Sequence, residues 1–405
     1  AQVLVQVARH AHYTCDKRTA MKGVRTTVLV GALAVLTSCL APFLRRCWRL
    51  PQVLVAPADK APDALRVGLM GASFIGQVAA VYAAGKRRDV VVTAVASRDA
   101  ARAEAFARRH GIPVALGGPG AYDDLLKRSD VDAVYISLPT TLHVRWAAAA
   151  LAANKHVLLE KPAAANLQEA LELSQLAARP GPVLMEAAHY RHHPAALRSR
   201  SLMQERLGPL QRLEARFFML DPKAWLASGS PDPSGREHER VKNFDRWWYC
   251  ADELLWMSGA TSWSVRSAVE GHFSIEAELL LTLPSSPLAQ VNATIRMSRD
   301  KLWPLFDWSF HAEGSEGRLA YSNIGFPFLF HSLSVEMFGS QAQRWDERLY
   351  GEGETTFEHQ LAAFVSSVRG GQSAAAAEQA LRTMRLVDDI LKAAGSQPLL
   401  SGASA

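Results

Sequence analysis

The chain has 405 residues, of which 49% are apolar, 21% charged and 8% aromatic, a composition that excludes disordered, collagen-like and disulfide-scaffold proteins. Its formal charge of +6 is concentrated at one end: residues 1–50 hold eight Arg or Lys against Asp16 alone, which leaves 37 basic and 38 acidic residues in the remainder. The body thus lacks the positive excess that neutralising phosphates requires, and binding of nucleic acid by it is disfavoured.

The length predicts two compact domains plus a tail. Residues 1–62 read as a targeting or membrane-anchor segment with its linker. Val28 to Leu44 is a run of 17 residues without a charge, the short limit of a membrane span, with Lys22 and Arg25 before it and Arg45, Arg46 and Arg49 after. Four readings stay open: a membrane tether, an organelle or export targeting peptide, an exported lipoprotein with Leu36-Thr37-Ser38-Cys39 as its processing box, and a buried core helix. Only Cys250 lies in the body; it supports no zinc or disulfide framework and reads as a buried small hydrophobe.

Residues 63–187 read as a doubly wound parallel sheet. The strand Val67 to Met70 runs into Gly71-Ala72-Ser73-Phe74-Ile75-Gly76, the place and spacing of a dinucleotide fingerprint, in which backbone N–H groups and a helix N-terminus meet a pyrophosphate. Ser73 replaces the middle glycine. A second strand, Val90 to Ala96, ends in Ser97-Arg98, where an NAD enzyme usually carries an acidic residue. With no carboxylate there to repel a 2′-phosphate, and a guanidinium to pair with it, NADP(H) is expected over NAD(H). Strand-helix alternation continues through a helix from Ala101 to His110, a loop over Val114 to Ala121, and a helix from Tyr122 to Lys127. Strands at Val131 to Leu138, Lys155 to Leu159 and Pro182 to Ala187 follow, with helices His143 to Ala153 and Leu167 to Ala178 between them.

Residues 188–395 read as a second α/β domain, with 396–405 as a tail. Apolar alternating runs occur at Arg212 to Leu220, His272 to Leu283, Ala289 to Arg296, Trp308 to Glu313 and Leu333 to Phe338, mostly without helices between them. His189, His192 and His193 could share a helix face, but no carboxylate or cysteine accompanies them at ligand spacing, so no metal is expected.

Two strand ends carry a distinctive text, VDAVYISLPTTLH (Val131 to His143) and NKHVLLEKPAA (Asn154 to Ala164). Together with MEAAHYRHHPAALR (Met185 to Arg198), GSEGRLAYSNIGFP (Gly314 to Pro327) and EQALRTMRLVDDILKAAG (Glu378 to Gly395), this resembles the Gfo/Idh/MocA oxidoreductase family, and within it the branch of dihydrodiol and NADP-dependent D-xylose dehydrogenases. The resemblance implies a Rossmann domain followed by a domain with an open, mostly antiparallel sheet, often used for homodimerisation. It also implies cofactor contacts from Gly71, Ser73, Phe74, Ile75, Gly76, Ser97, Arg98, Leu138, Pro139, His143, Glu160, Lys161 and Pro162, the last following a cis peptide.

Lys161 of the E-K-P text takes the family position beside the nicotinamide and the reacting carbinol. An ammonium there stabilises a developing alkoxide, and desolvation can lower a lysine enough to exchange protons. In ERVKNFDRWWYCADELLWMSG, Asp245 and Tyr249 fall on the family's Asp and Tyr positions, one helical turn apart; Tyr249 would serve as acid/base, with Asp245 orienting substrate and tuning Lys161. Arg191 and His193 would line the substrate side. The family's glycine run is Glu239, Arg240 and Val241 here, and its last glycine is Trp247, which is placed to fill or reshape the substrate pocket. The expected function is hydride transfer between NADP(H) and a cyclic polyol, aldose or dihydrodiol carbon. The alternative is a tethered NADP-binding scaffold that has lost turnover.

Overall fold

A computed structural model describes residues 58–221, 236–284, 290–301, 304–370 and 374–396. The uncharged run at 28–44 and the lipoprotein box lie outside these residues. Among the described residues, no helix is long and apolar enough to cross a membrane.

Strand β1 (Leu65–Met70) is nearly all buried, and it leads through the glycine turn into helix α1, built from Phe74–Gly76, a π-helical Gln77–Tyr82 and Ala83–Gly85. There follow β2 (Val90–Ser97), α2 (Ala100–His110), β3 (Val114–Gly117), α3 (Ala121–Leu126), β4 (Ala133–Ile136), α4 (His143–Ala152), β5 (His156–Leu159), α5 (Leu167–Ala177) and β6 (Leu184–Glu186). These six strands pair in parallel, in the order β3-β2-β1-β4-β5-β6. Continuous apolar strands such as Ala133–Ile136, buried throughout, are what a sheet covered by helices on both faces demands. Asp99 starts α2 by accepting from the Arg102 N–H at 3.1 Å, and Gly111 ends it with φ of 64°, the left-handed cap that glycine adopts without strain.

One segment departs from expectation. Val114 to Ala121 was expected as a loop, yet Val114–Gly117 forms β3 and pairs with Ala94–Ser97 of β2. The strand is four residues long at the sheet edge, too short for a period to show before Gly117, Gly118 and Gly120 break the pattern.

The second sheet has eight strands: β7 (Leu210–Met219), β8 (Ser262–Glu270), β9 (Ser274–Thr282), β10 (Val291–Ser298), β11 (Phe306–Gly314), β12 (Gly317–Ser322), β13 (Ser332–Met337) and β14 (Gln343–Glu347). Their order is β14-β13-β12-β11-β7-β10-β9-β8, antiparallel except where β7 meets β10. After α6 (Pro194–Arg206) and β7, helix α7 (Arg236–Ser258) packs on β7 and β10, and the last helix, α9 (Ala374–Ala393), packs on β8 and α5. Helix α8 (Thr356–Gly370), expected with the second domain, instead returns to the first. Its Phe357, Leu361, Phe364 and Val365 share a core with Leu65, Val67, Ala79 and Ala83.

Candidate active site

At the carboxyl ends of β1, β2 and β4, where the strand order reverses, lies a cleft of about 490 Å³ lined by Gly71, Ala72, Ser73, Ser97, Arg98, Asp99, Arg102, Tyr122, Ser137, Leu138, Pro139 and Leu142. This switch point is where doubly wound sheets bind ligands. Gly71 has φ of +107°, and a Cβ there would lie 2.9 Å from the Ser137 carbonyl oxygen, so two independent constraints require glycine. Ser73, by contrast, is extended and caps α1: its Oγ accepts from the Gly76 N–H at 2.9 Å and donates to Ser137 Oγ at 2.8 Å. The hydroxyl that replaces the middle glycine thus serves the helix end. Phe74 is 79% exposed and Ile75 packs partly into the core, so these positions offer a ligand chiefly their first-turn N–H groups.

The end of β2 suits a phosphorylated ribose. Ser97 accepts from the Asp99 N–H at 3.3 Å, and the Asp99 carboxylate is occupied in capping α2. Arg98 is exposed at the rim. Arg102, which sequence reasoning missed, ties its Nε to the Ala72 carbonyl at 2.9 Å and brings a second guanidinium to the same cleft. Its place one turn into the helix after Ser97-Arg98 was an available signal. Tyr122 and Ser137 were missed as well. Glycine turn, free first-turn N–H groups and paired arginines fit a dinucleotide with an extra phosphate.

The wall beyond β4 is tied to the turn after β5. His143 Nδ1 lies 2.9 Å from the Pro162 carbonyl and Nε2 lies 2.9 Å from the Leu138 carbonyl; burial pushes the imidazole down to about 4 against these two bonds, and the ring frames the cleft between the two carbonyls. The Lys161–Pro162 peptide is cis. Glu160 points inward, taking the Tyr135 hydroxyl and the Lys161 N–H at 3.2 Å, and burial raises its carboxyl to about 7. Its side chain therefore supports the turn beneath the cleft.

Lys161 meets the two residues expected from α7. Its Nζ donates to Asp245 Oδ1 at 2.6 Å and stands 4.6 Å above the centre of the Tyr249 ring. Burial alone would lower the ammonium, but the facing Tyr249, Asp245 and Glu160 outweigh it and hold Lys161 above the ordinary lysine range. Desolvation, which on its own would let the lysine exchange protons, is thus opposed by these partners. Tyr249 is buried against Trp308 (ring centres 4.5 Å apart) and Phe217, and burial raises its phenol.

The remaining substrate-side expectations are corrected. Arg191 is buried and gives its guanidinium to Asp252 and Glu186. His193 caps α6 through the Ala195 N–H at 3.2 Å and packs edge-on to His359. Trp247 is only 2% exposed and packs on Phe244 in the core. Two residues of helix turn a side chain by about 200°, so with Asp245 and Tyr249 facing Lys161, Trp247 faces the opposite way. Glu239, Arg240 and Val241 lie in α7 itself, so a helix stands where the family's glycine run is expected. Among the described residues, no three His, Cys, Asp or Glu side chains are grouped to hold a metal.

A six-stranded parallel sheet in this order, a glycine turn at its switch point and a second open sheet define a two-domain dinucleotide-binding protein. Residues 65–188 match the Gfo/Idh/MocA family model, described as "Oxidoreductase family, NAD-binding Rossmann fold". It is 39% identical over 169 residues to D-xylose 1-dehydrogenase (NADP(+)) 2 of Haloferax volcanii, covering 42% of this chain and 51% of that one. Over 156 residues it is 39% identical to trans-1,2-dihydrobenzene-1,2-diol dehydrogenase of Sus scrofa, covering 38% and 46%. The chain thus spans about half the length of the curated relatives it matches. Among solved structures it resembles a 3-ketoreductase of Actinomadura kijaniata in complex with NADP and TDP-benzene, with a TM-score of 0.66 and 26% identity over 82% of this chain and 98% of that one.

Proposed function

We propose that the protein is an NADP(H)-dependent oxidoreductase acting on the carbinol or carbonyl carbon of a cyclic polyol, aldose or dihydrodiol. The observation that carries this reading is the contact of Lys161 with Asp245 and Tyr249 just beyond β5, adjoining a cleft whose glycine turn and two arginines suit a dinucleotide phosphate. When bound, the cofactor supplies the hydride. The chain's own residues hold the substrate oxygen and manage its proton. Because Lys161 is held in its charged form, it acts as hydrogen-bond donor and acid to an oxygen gaining negative charge, which favours carbonyl reduction. Asp245, half exposed, orients the ammonium from the solvent side. The inward packing of Trp247 supports the catalytic reading over a non-catalytic scaffold.

The test is a fluorescence titration with NADPH and NADH, followed by a panel of aldoses, cyclic polyols, dihydrodiols and their keto forms read at the nicotinamide absorbance. NADPH is expected to bind more tightly, and Arg98→Ala should weaken it by about 10- to 100-fold, the worth of a charged hydrogen bond, with NADH little changed. Binding without turnover on any substrate would favour the scaffold; no binding would sink both readings. We extend the proposal to a homodimer through the outer face of the second sheet, where Arg296 bridges Glu214 and Glu276 across three strands. Sedimentation velocity should show twice the monomer mass.

A further inference from the structure

Behind Tyr249 lies a buried histidine that the mechanism above does not use. His189 is 5% exposed, in the short turn after β6 (His189–His192). Its Nε2 lies 3.2 Å from the Tyr249 hydroxyl oxygen and its Nδ1 lies 2.8 Å from Thr356 Oγ1. Thr356 is fully buried at the start of α8, and its hydroxyl donates to the Gly325 carbonyl at 3.3 Å. The preceding Thr355 and Glu358 cap that helix reciprocally, at 3.2 and 2.7 Å, a capping box that leaves the Thr356 side chain free to meet the histidine. Gly325 belongs to the same packing: a Cβ there would lie 1.8 Å from the Trp308 ring, which rests on Tyr249.

The direction of these hydrogen bonds follows from counting protons. Thr356 has one hydroxyl proton and gives it to Gly325, so toward His189 its oxygen accepts, and Nδ1 must carry the ring proton. Burial, with Lys161 and His192 nearby, pushes the imidazole down to about 3, so the ring is neutral and Nε2 is a lone pair. Tyr249 must then donate its only proton to Nε2. The phenol oxygen is left to face Lys161 as an acceptor. The Lys161 ammonium donates to Asp245 Oδ1 at 2.6 Å and reaches the Asp245 carbonyl at 3.4 Å, and an accepting phenol oxygen draws a further N–H toward Tyr249; a substrate oxygen would replace the long carbonyl contact.

We propose that His189 is a positioning residue: held in one tautomer by Thr356, it turns the Tyr249 proton away from the reaction and makes the phenol an acceptor that aims Lys161. This inference rests on the oxidoreductase reading above and deepens it, because it assigns the acid to Lys161 and an orienting role to Tyr249. It joins residues 249 and 356 through position 189, a contact between α7 and α8 that no local sequence pattern encodes.

The test uses the full chain and begins by confirming wild-type turnover, since its absence would defeat the functional reading and not this one. His189→Leu should lower kcat at least about tenfold, with KM and NADPH affinity within about twofold. Tyr249→Phe should cost a similar factor, and the double variant should be no worse than the poorer single, because both remove one arrangement. His189→Gln, whose amide oxygen reaches toward the Nε2 position, should recover part of the loss; it also serves if the leucine variant fails to fold. In nitrogen-labelled histidine spectra of the cofactor-free protein, the signal missing from His189→Gln should show the Nδ1–H tautomer. A kcat within twofold of wild type in His189→Leu, multiplying losses in the double variant, or an Nε2–H signal would each overturn the proposal.

Discussion

Lys161→Ala should lower kcat by about 10²- to 10⁴-fold, the usual worth of a positioned acid or oxyanion donor, while NADPH affinity changes by no more than a few fold. The separation is expected because the dinucleotide cleft is built by β1, β2 and β4, whereas the ammonium projects from beyond β5 toward Asp245 and Tyr249. Folding should survive the change. The Lys161–Asp245 pair is 52% exposed on its carboxylate side, and pairs with that much solvent contribute about 0–1 kcal/mol. Because the folded protein raises the lysine's pKa, its charge persists well into the alkaline range, and kcat should show no loss from lysine deprotonation between about pH 6 and about pH 9. Stopped-flow hydride transfer on Lys161→Ala, with NADPH titrated separately, checks both halves. Lost cofactor binding would place the lysine in the dinucleotide site instead, and unchanged kcat would remove it from the chemistry.

How legible this site was depended on whether chemistry was local in the chain. The glycine turn, the Ser97-Arg98 pair and the E-K-P text each follow an apolar strand within a few residues, and strand ends are where a parallel sheet presents its ligands. Asp245 and Tyr249 were legible as a one-turn pair, and the same helical arithmetic would have turned Trp247 into the core. Arg191 misled for a different reason. Its partner Asp252 lies 61 residues away on α7, so its sequence neighbourhood carries no sign that the charge is already neutralised. Among strands, β8, β12 and β14 escaped notice. Two are sheet edges, rich in Ser, Arg, Gln and Glu because edge strands meet water, and β12 is six residues bounded by a glycine. Pairing of β3 with β2 and return of α8 to the first core are tertiary facts that no periodicity records.

The buried Arg191 network leads to the second large effect, on stability. Asp252→Asn and Arg191→Met should each destabilise the fold by about 3–5 kcal/mol, the cost of stranding one charge of a buried pair. Asp252 is fully buried and takes hydrogen bonds from Arg191 Nε at 2.9 Å, the Tyr190 hydroxyl at 2.5 Å and the Thr383 hydroxyl at 2.8 Å. It thereby fastens the turn after β6 to both α7 and α9. The opposing charges hold the guanidinium far above any accessible pH despite its burial, so Arg191 cannot relieve the loss by giving up its proton. Removing both charges together should cost much less than the sum of the two single changes, since neither is then left alone. The consequence reaches the cleft. Glu186, which also holds Arg191, accepts from the Ala163 N–H at 2.9 Å immediately after the Lys161–Pro162 turn, so an unpaired Arg191 pulls on the carboxylate that steadies this turn. Urea denaturation of the two single variants and the double one, with NADPH affinity measured on each, reads the coupling directly. Strictly additive losses, or single losses below about 1 kcal/mol, would show that the network fills space without holding the site.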